Sequence, residues 1–122
     1  MQYLLLIYEN EGASAGLSEA EQGKIFQEYM DYTNGIRKKG NYIAGEALQP
    51  VSTATTVRVK NGKTLTTDGP FAETREQLGG FYMVEAKDLD EAIKLAARIP
   101  GARTGSVEVR PVMAMPADYP RP

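Results

Sequence analysis

The chain has 122 residues, 14 basic and 16 acidic, and contains neither cysteine nor histidine. This length suits one compact domain, and a hydrophobic share of 42% is typical of a globular protein. The missing residue types exclude disulfides, thiolate metal sites and a Ser/His/Asp triad, and no pattern indicates a cofactor or a metal ion. A net charge of −2 without a basic block argues against a nucleic-acid or anionic-membrane surface.

The chain opens with residues 2–8, which are apolar at nearly every position and predict a strand buried on both faces. This run is too short to span a membrane and lacks a basic flank after Met1, so we expect no membrane span and no secretory signal. The protein is therefore expected in the cytoplasm. Residues 9–16 are predicted as a loop because glycine, serine and asparagine recur there.

A long amphipathic helix is predicted over residues 18–39. Ser18 and Glu21 have the spacing of a capping box, and Gly40 is a helix stop. Apolar side chains recur at helical spacing between them, at Ile25, Tyr29, Tyr32 and Ile36.

The middle of the chain predicts a strand at 42–48 and then a β-hairpin. Asn61-Gly62 separates two β-rich runs, 55–60 and 63–67, and this dipeptide is a strong hairpin signal. A turn follows at 68–71. One or two helical turns are expected at 72–78, ended by Gly79-Gly80.

The last third repeats the order strand, helix, strand. Residues 81–86 predict a strand apolar on both faces, 89–99 an alanine-rich helix, and 106–113 a final strand. We expect one domain over 1–113, followed by a proline-rich tail over 114–122.

This order predicts an α+β fold, a ferredoxin-like βαββαβ sandwich with an inserted β-hairpin. The sheet is expected to be antiparallel with both helices on one face. The two-faced apolar strands then leave apolar side chains on the opposite face, and this open sheet face predicts a partner. The simplest partner is a second copy, giving a two-fold homodimer, sheet against sheet.

Six segments, taken in this order, carry a family resemblance. They are Tyr3-Leu4-Leu5-Leu6-Ile7-Tyr8, Gly45-Glu46-Ala47-Leu48-Gln49-Pro50, Thr56-Val57-Arg58-Val59, Thr67-Asp68-Gly69-Pro70-Phe71-Ala72-Glu73-Thr74, Gln77-Leu78-Gly79-Gly80-Phe81-Tyr82 and Gly105-Ser106-Val107-Glu108-Val109-Arg110-Pro111. With them the chain resembles the DGPF group of YCII-related proteins, in the dimeric α/β-barrel superfamily.

The resemblance implies a bacterial cytoplasmic dimer with a cavity between its two sheets, and no established reaction. Some relatives handle aromatic or lactone substrates, YCII-related proteins are discussed as possible enzymes because of an apposed His and Asp, and other DGPF proteins are associated with sigma factors. Asp68 matches the family aspartate. Thr104 stands where relatives often carry histidine, so that pair cannot form here.

Asp68 is the candidate catalytic residue. At the end of a hairpin, its carboxylate would serve as a general base or hold a metal or a cationic group. Alternatively, it accepts backbone N–H bonds in its own Asp-Gly-Pro turn. Arg75, close behind it, is a candidate ion-pair partner or ligand-binding residue.

Glu108 and Arg110 are candidate ligand-binding residues because they project from the same face of one strand. They would bind an anionic substrate or form a salt bridge between subunits. Glu46 either joins an acidic cluster or faces solvent. Tyr82 either lines an aromatic pocket for a planar ligand or packs in the core.

Two hypotheses of function follow. In the first, the cavity between the two sheets of the dimer binds a small molecule, aromatic or anionic. A cofactor-free lyase or isomerase activity would use Asp68 as the base and Arg110 as the anion partner. In the second, the protein is a non-enzymatic accessory or sensor that docks on another protein, such as a transcription factor.

Overall fold

The computed structural model describes residues 1–120, and six strands and three α-helices lie within them. In chain order these are β1 (Gln2–Glu9), α1 (Glu11–Ala15), α2 (Glu19–Lys38), β2 (Tyr42–Ala47), β3 (Thr55–Lys60), β4 (Lys63–Asp68), β5 (Gln77–Glu85), α3 (Leu89–Ala97) and β6 (Ser106–Pro111), with short 3-10 helices at Val51–Thr53 and Pro100–Ala102.

Four strands form one antiparallel sheet in the order β2-β5-β1-β6. The α+β, ferredoxin-like prediction is confirmed: the central strands β1 and β5 come from opposite halves of the chain. The sheet is open, and residues 1–120 contain no closed barrel. Strands β3 and β4 pair only with each other, as the inserted hairpin, and both turn residues have positive φ, 52° at Asn61 and 75° at Gly62.

The core lies on one face of the sheet, where α2 and α3 pack. In β1 the side chains alternate, so that Tyr3, Leu5 and Ile7 are buried against the helices. The other face, here called the open face, carries the intervening side chains. By strand register it comprises Leu4, Leu6, Tyr8, Ala44, Glu46, Leu78, Phe81, Met83, Ser106, Glu108 and Arg110.

Both long helices begin at a side-chain cap. The Ser18 hydroxyl accepts a hydrogen bond from Glu21 N at 3.1 Å and completes the predicted capping box. Asp88 caps α3 in the same way, through Glu91 N at 2.9 Å. Alanines on α3 bring that helix close to the sheet, whereas α2 presents tyrosines.

Two local predictions were wrong. Residues 9–16 are not all loop, because Asn10 accepts a hydrogen bond from Ala13 N and caps the short helix α1. Residues 72–78 form no helical turns, and Gly79-Gly80 lies inside β5 rather than ending a helix. Gln77 and Leu78 pair with the end of β1, and residues 72–76 before them form bends and irregular chain.

The chain after β6 is exposed over residues 113–120. The predicted tail, 114–122, is thus described as far as residue 120, and its last two residues lie outside the described part. Among the described helices none is both long and apolar enough to cross a membrane.

Candidate functional site

A cavity of about 440 Å³ lies between α2 and the edge of the sheet formed by β2 and β5. It lies mainly on the helix side of the sheet, and at the sheet edge it also touches Glu46 and Phe81, whose side chains belong to the open face by register. Its walls are mostly aromatic and glycine residues, with three charged residues. They are Ile7, Glu9, Phe26, Tyr29, Thr33, Arg37, Tyr42, Gly45, Glu46, Ala47, Gly79, Gly80, Phe81 and Tyr82.

The cavity exists because bulky residues on α2 face a floor of very small ones. Phe26, Tyr29, Thr33 and Arg37 follow one another at three- and four-residue spacing, so they form one stripe along the helix. Below them, a Cβ added at Gly45 would lie 2.8 Å from the Tyr82 ring. Glycine at this point therefore lets the ring lie flat against the backbone of β2 and keeps the cavity open.

The Tyr82 hydroxyl is held in the cavity wall by Thr33. Thr33 Oγ1 donates its single hydrogen to the Tyr29 carbonyl oxygen at 2.8 Å. The 2.6 Å contact between Thr33 Oγ1 and the Tyr82 hydroxyl must then have Tyr82 as donor. Burial raises the pKa of Tyr82 above its ordinary value. Tyr82 thus offers a ligand a lone pair and not a proton.

One end of the cavity is built around the Glu9 carboxylate. The Tyr29 hydroxyl accepts a hydrogen bond from Gly101 N at 3.1 Å, and a Cβ added at Gly101 would lie 2.6 Å from Glu9 Oε1 and 2.8 Å from the Tyr29 hydroxyl. Burial, and next the charge of Glu9, raise the pKa of Tyr29 to about 12. Tyr29 is therefore a neutral hydroxyl beside a carboxylate at physiological pH.

The other end is built around the Arg37 guanidinium. Its central carbon lies 4.5 Å from the centre of the Tyr42 ring, a cation–π contact. The Tyr42 ring in turn packs edge-on against Tyr82, with centroids 6.4 Å apart. Within residues 1–120, Arg37 forms no salt bridge. Its N–H groups are free to meet an anion.

Asp68 and Arg75 do not line this cavity. Asp68 is an exposed residue at the end of β4, and no residue of the described chain donates a hydrogen bond to its carboxylate. Arg75 is also exposed, and the ion pair between the two is not among the salt bridges of residues 1–120. Nor do any three carboxylates of the described chain cluster as metal ligands would.

Glu108 and Arg110 lie on the open face, as the alternation predicts, and form a salt bridge with each other. They are remote from the cavity, on the strand at the other edge of the sheet. Of the remaining candidates, Tyr82 and Glu46 both line the cavity, Tyr82 nearly buried and Glu46 at its exposed edge.

Sequence analysis missed Glu9, Thr33 and Arg37 as site residues and took Tyr29 only as part of an apolar stripe. The available signal was the spacing on α2, where Tyr29, Thr33 and Arg37 recur every fourth position. Glu9 gave no such signal, because a carboxylate at the end of a strand usually faces water.

An α+β sandwich with this strand order, and a cavity of ligand size between helix and sheet, defines a ferredoxin-like protein with a candidate small-molecule site. The chain belongs to the YCII-related family, whose domain model matches residues 1–116. It is 36% identical over 114 residues to the uncharacterised protein R00369 of Rhizobium meliloti (strain 1021), covering 92% of each chain.

Proposed function

We propose that the protein binds a small flat molecule, aromatic or anionic, in the cavity between α2 and the sheet. The cavity carries the proposal: its volume of about 440 Å³ falls in the range of small-molecule sites, and few polar groups converge on an aromatic lining. Arg37 adds an unpaired cation at one end. Arg37 is exposed to solvent, so an anionic ligand entering the cavity can reach this cation.

The test uses a tryptophan as reporter, because the chain has none. Phe26, 67% exposed, lies at the rim of the cavity, so Phe26→Trp places one fluorophore there. Phe71, 80% exposed, lies outside it and gives the matched control Phe71→Trp. We expect benzoate to change the emission of Phe26→Trp saturably, with no change in Phe71→Trp. Absence of the change in Phe26→Trp, together with no heat of benzoate binding to the wild type, would refute the proposal.

A cofactor-free lyase or isomerase reaction fits the same cavity. Glu9 supplies a carboxylate for proton transfer, and Arg37 a cation for a developing anion. Asp68 does not line this cavity in the chain, so we assign the general base to Glu9. Asp68→Asn should leave benzoate binding unchanged, and a loss of binding in this variant would return Asp68 to the site.

We also propose a homodimer joined through the open faces. Leu4, Leu6, Phe81 and Met83 form an apolar centre on that face, opposite the packed helices, and burying them against a second copy would remove this surface from water. Sedimentation should show a dimer for the wild type and a monomer for Leu6→Glu. The control Leu65→Glu, on the exposed hairpin, should remain dimeric. A monomeric wild type would contradict this arrangement.

The accessory-protein alternative has one feature in its favour, the hairpin of β3 and β4. Val57 and Val59 project from the same side of it and are 59% and 70% exposed. Arg58, Lys60 and Lys63 make the same hairpin basic, which suits an acidic protein partner. Cross-linking in bacterial cells that is lost in the double variant Val57→Ser, Val59→Ser would support this role, and unchanged cross-linking would oppose it.

A further inference from the structure

We infer that the ligand of this cavity is an aromatic carboxylate with a hydrogen-bond donor, an amino or hydroxyl group, at the opposite end of its ring. This inference rests on the proposed function and adds the polarity of the ligand. It follows from three features of the cavity, namely its cationic end, its acceptor end and the placement of these two ends far apart along α2.

The cationic end selects a carboxylate. The central carbon of the exposed Arg37 guanidinium lies 4.5 Å from the centre of the Tyr42 ring, a contact that leaves N–H groups available to a ligand. A planar guanidinium binds a carboxylate through two parallel hydrogen bonds. No described carboxylate occupies it, so a ligand carboxylate meets no competition from the chain.

The acceptor end selects a donor. The carboxylate oxygens of Glu9 are hydrogen-bond acceptors with about four acceptor positions between them. Ser14 Oγ, 3.4 Å from Oε2, and the Tyr29 hydroxyl use two of these positions, which leaves acceptor capacity towards the cavity. A second ligand carboxylate at this end would be repelled, whereas an amino or hydroxyl group would be held.

The two ends lie apart along the cavity. Arg37 follows Tyr29, which neighbours Glu9, by eight residues of α2, so the backbones of Tyr29 and Arg37 are about 12 Å apart along the helix axis. A ligand that meets both ends therefore carries its carboxylate and its donor on opposite sides of its ring, and the aromatic walls suit the faces of that ring.

The test compares three probes by calorimetry: 4-aminobenzoate, benzoate and aniline. We expect the wild type to bind 4-aminobenzoate at least about tenfold more tightly than either of the others, a difference of about 1.4 kcal/mol. Arg37→Gln should abolish the preference over aniline, and Glu9→Gln the preference over benzoate. The control Lys38→Gln, on the exposed neighbour of Arg37, should keep both.

The outcomes separate this inference from the proposed function. If benzoate and 4-aminobenzoate bind the wild type with equal affinity, the cavity binds aromatic acids, but the proposed role of the acceptor end is refuted. If aniline and 4-aminobenzoate bind the wild type with equal affinity, the proposed role of the cationic end is refuted. If no probe binds, both the inference and the proposed function fail. A circular-dichroism melt of each variant checks that it is folded, and Arg37→Lys, which keeps the charge, should retain part of the preference.

Discussion

The Tyr29 hydroxyl and the Gly101 backbone N–H are joined by a 3.1 Å hydrogen bond, although 72 residues of chain separate them. The contact ties the middle of α2 to the 3-10 turn that follows α3, and it places the Tyr29 hydroxyl beside Glu9 at one end of the cavity. This hydrogen bond therefore links α2 and the turn after α3 at the Glu9 end of the cavity.

Gly101→Ala should destabilise the protein. Its new Cβ would meet Glu9 Oε1, the Tyr29 hydroxyl and Ile7 Cγ2 within 3 Å, and overpacking of this kind costs about 1–3 kcal/mol. The matched control is Gly23→Ala, at an exposed position in the second turn of α2 with open space around it, which should stabilise the protein by about 0.4–1 kcal/mol. Urea unfolding measures both. Equal effects in the two variants would contradict the close packing at Gly101.

Tyr82→Phe should lower the free energy of unfolding by about 1 kcal/mol, because it removes the hydrogen bond to Thr33 and leaves that hydroxyl without its donor. Tyr8→Phe is the comparison, since the Tyr8 hydroxyl makes no hydrogen bond within residues 1–120. We expect the free energy of unfolding of Tyr8→Phe to differ little from that of the wild type when both are titrated with urea at a concentration where the protein is monomeric. A larger loss in Tyr8→Phe would contradict this assignment.

Ser18→Ala should cost about 1 kcal/mol by removing the capping box of α2. Ser52→Ala, at an exposed position in the first 3-10 helix, serves as control and should be nearly neutral. Thermal melts followed by far-ultraviolet circular dichroism would compare the two, and a neutral Ser18→Ala would show that the cap adds nothing to α2.

Stability should fall at alkaline pH. The pKa of Tyr29 is raised to about 12, while an unfolded tyrosine ionises near 10. The unfolded state therefore loses its proton first, so the stabilisation is complete below about pH 10 and is lost as pH rises towards 12. Urea titrations across this range should show a shallower fall in Tyr29→Phe. In Glu9→Gln, tyrosinate absorbance should appear at lower pH, because a neighbouring negative charge is gone.

Local signals in the sequence predicted the elements whose stability is local. The cap at Ser18, the Asn61-Gly62 turn and the alternation in β6 each act over a few residues, and the structure contains all three. The end of the segment 72–78 was mispredicted because pairing with a distant strand outweighs its local pattern: Gln77 pairs with Glu9 and Leu78 with Tyr8. Residues 72–76 lie in bends and irregular chain and pair with no strand.

The cavity was not predictable in the same way. Its existence depends on how far α2 stands from the sheet, and that distance comes from tyrosines on one element and glycines on two others. Gly80 illustrates this, because its lack of a side chain matters only where Glu46 O would lie 2.8 Å from a Cβ. The sequence shows that Gly80 and Glu46 are present, but it does not show that they lie close together in the fold.

The hairpin of β3 and β4 bonds along its length to itself and adds no residue to the buried core. At its base, Gly69 N donates a hydrogen bond to the Ala54 carbonyl oxygen at 2.7 Å. The two ends of the hairpin are therefore adjacent where they join the rest of the domain. Residues 55–68 are therefore a replaceable segment. A shorter turn, a longer loop or a foreign peptide could be grafted between Ala54 and Gly69, which already lie next to each other. The four-stranded sheet would keep all of its own pairings.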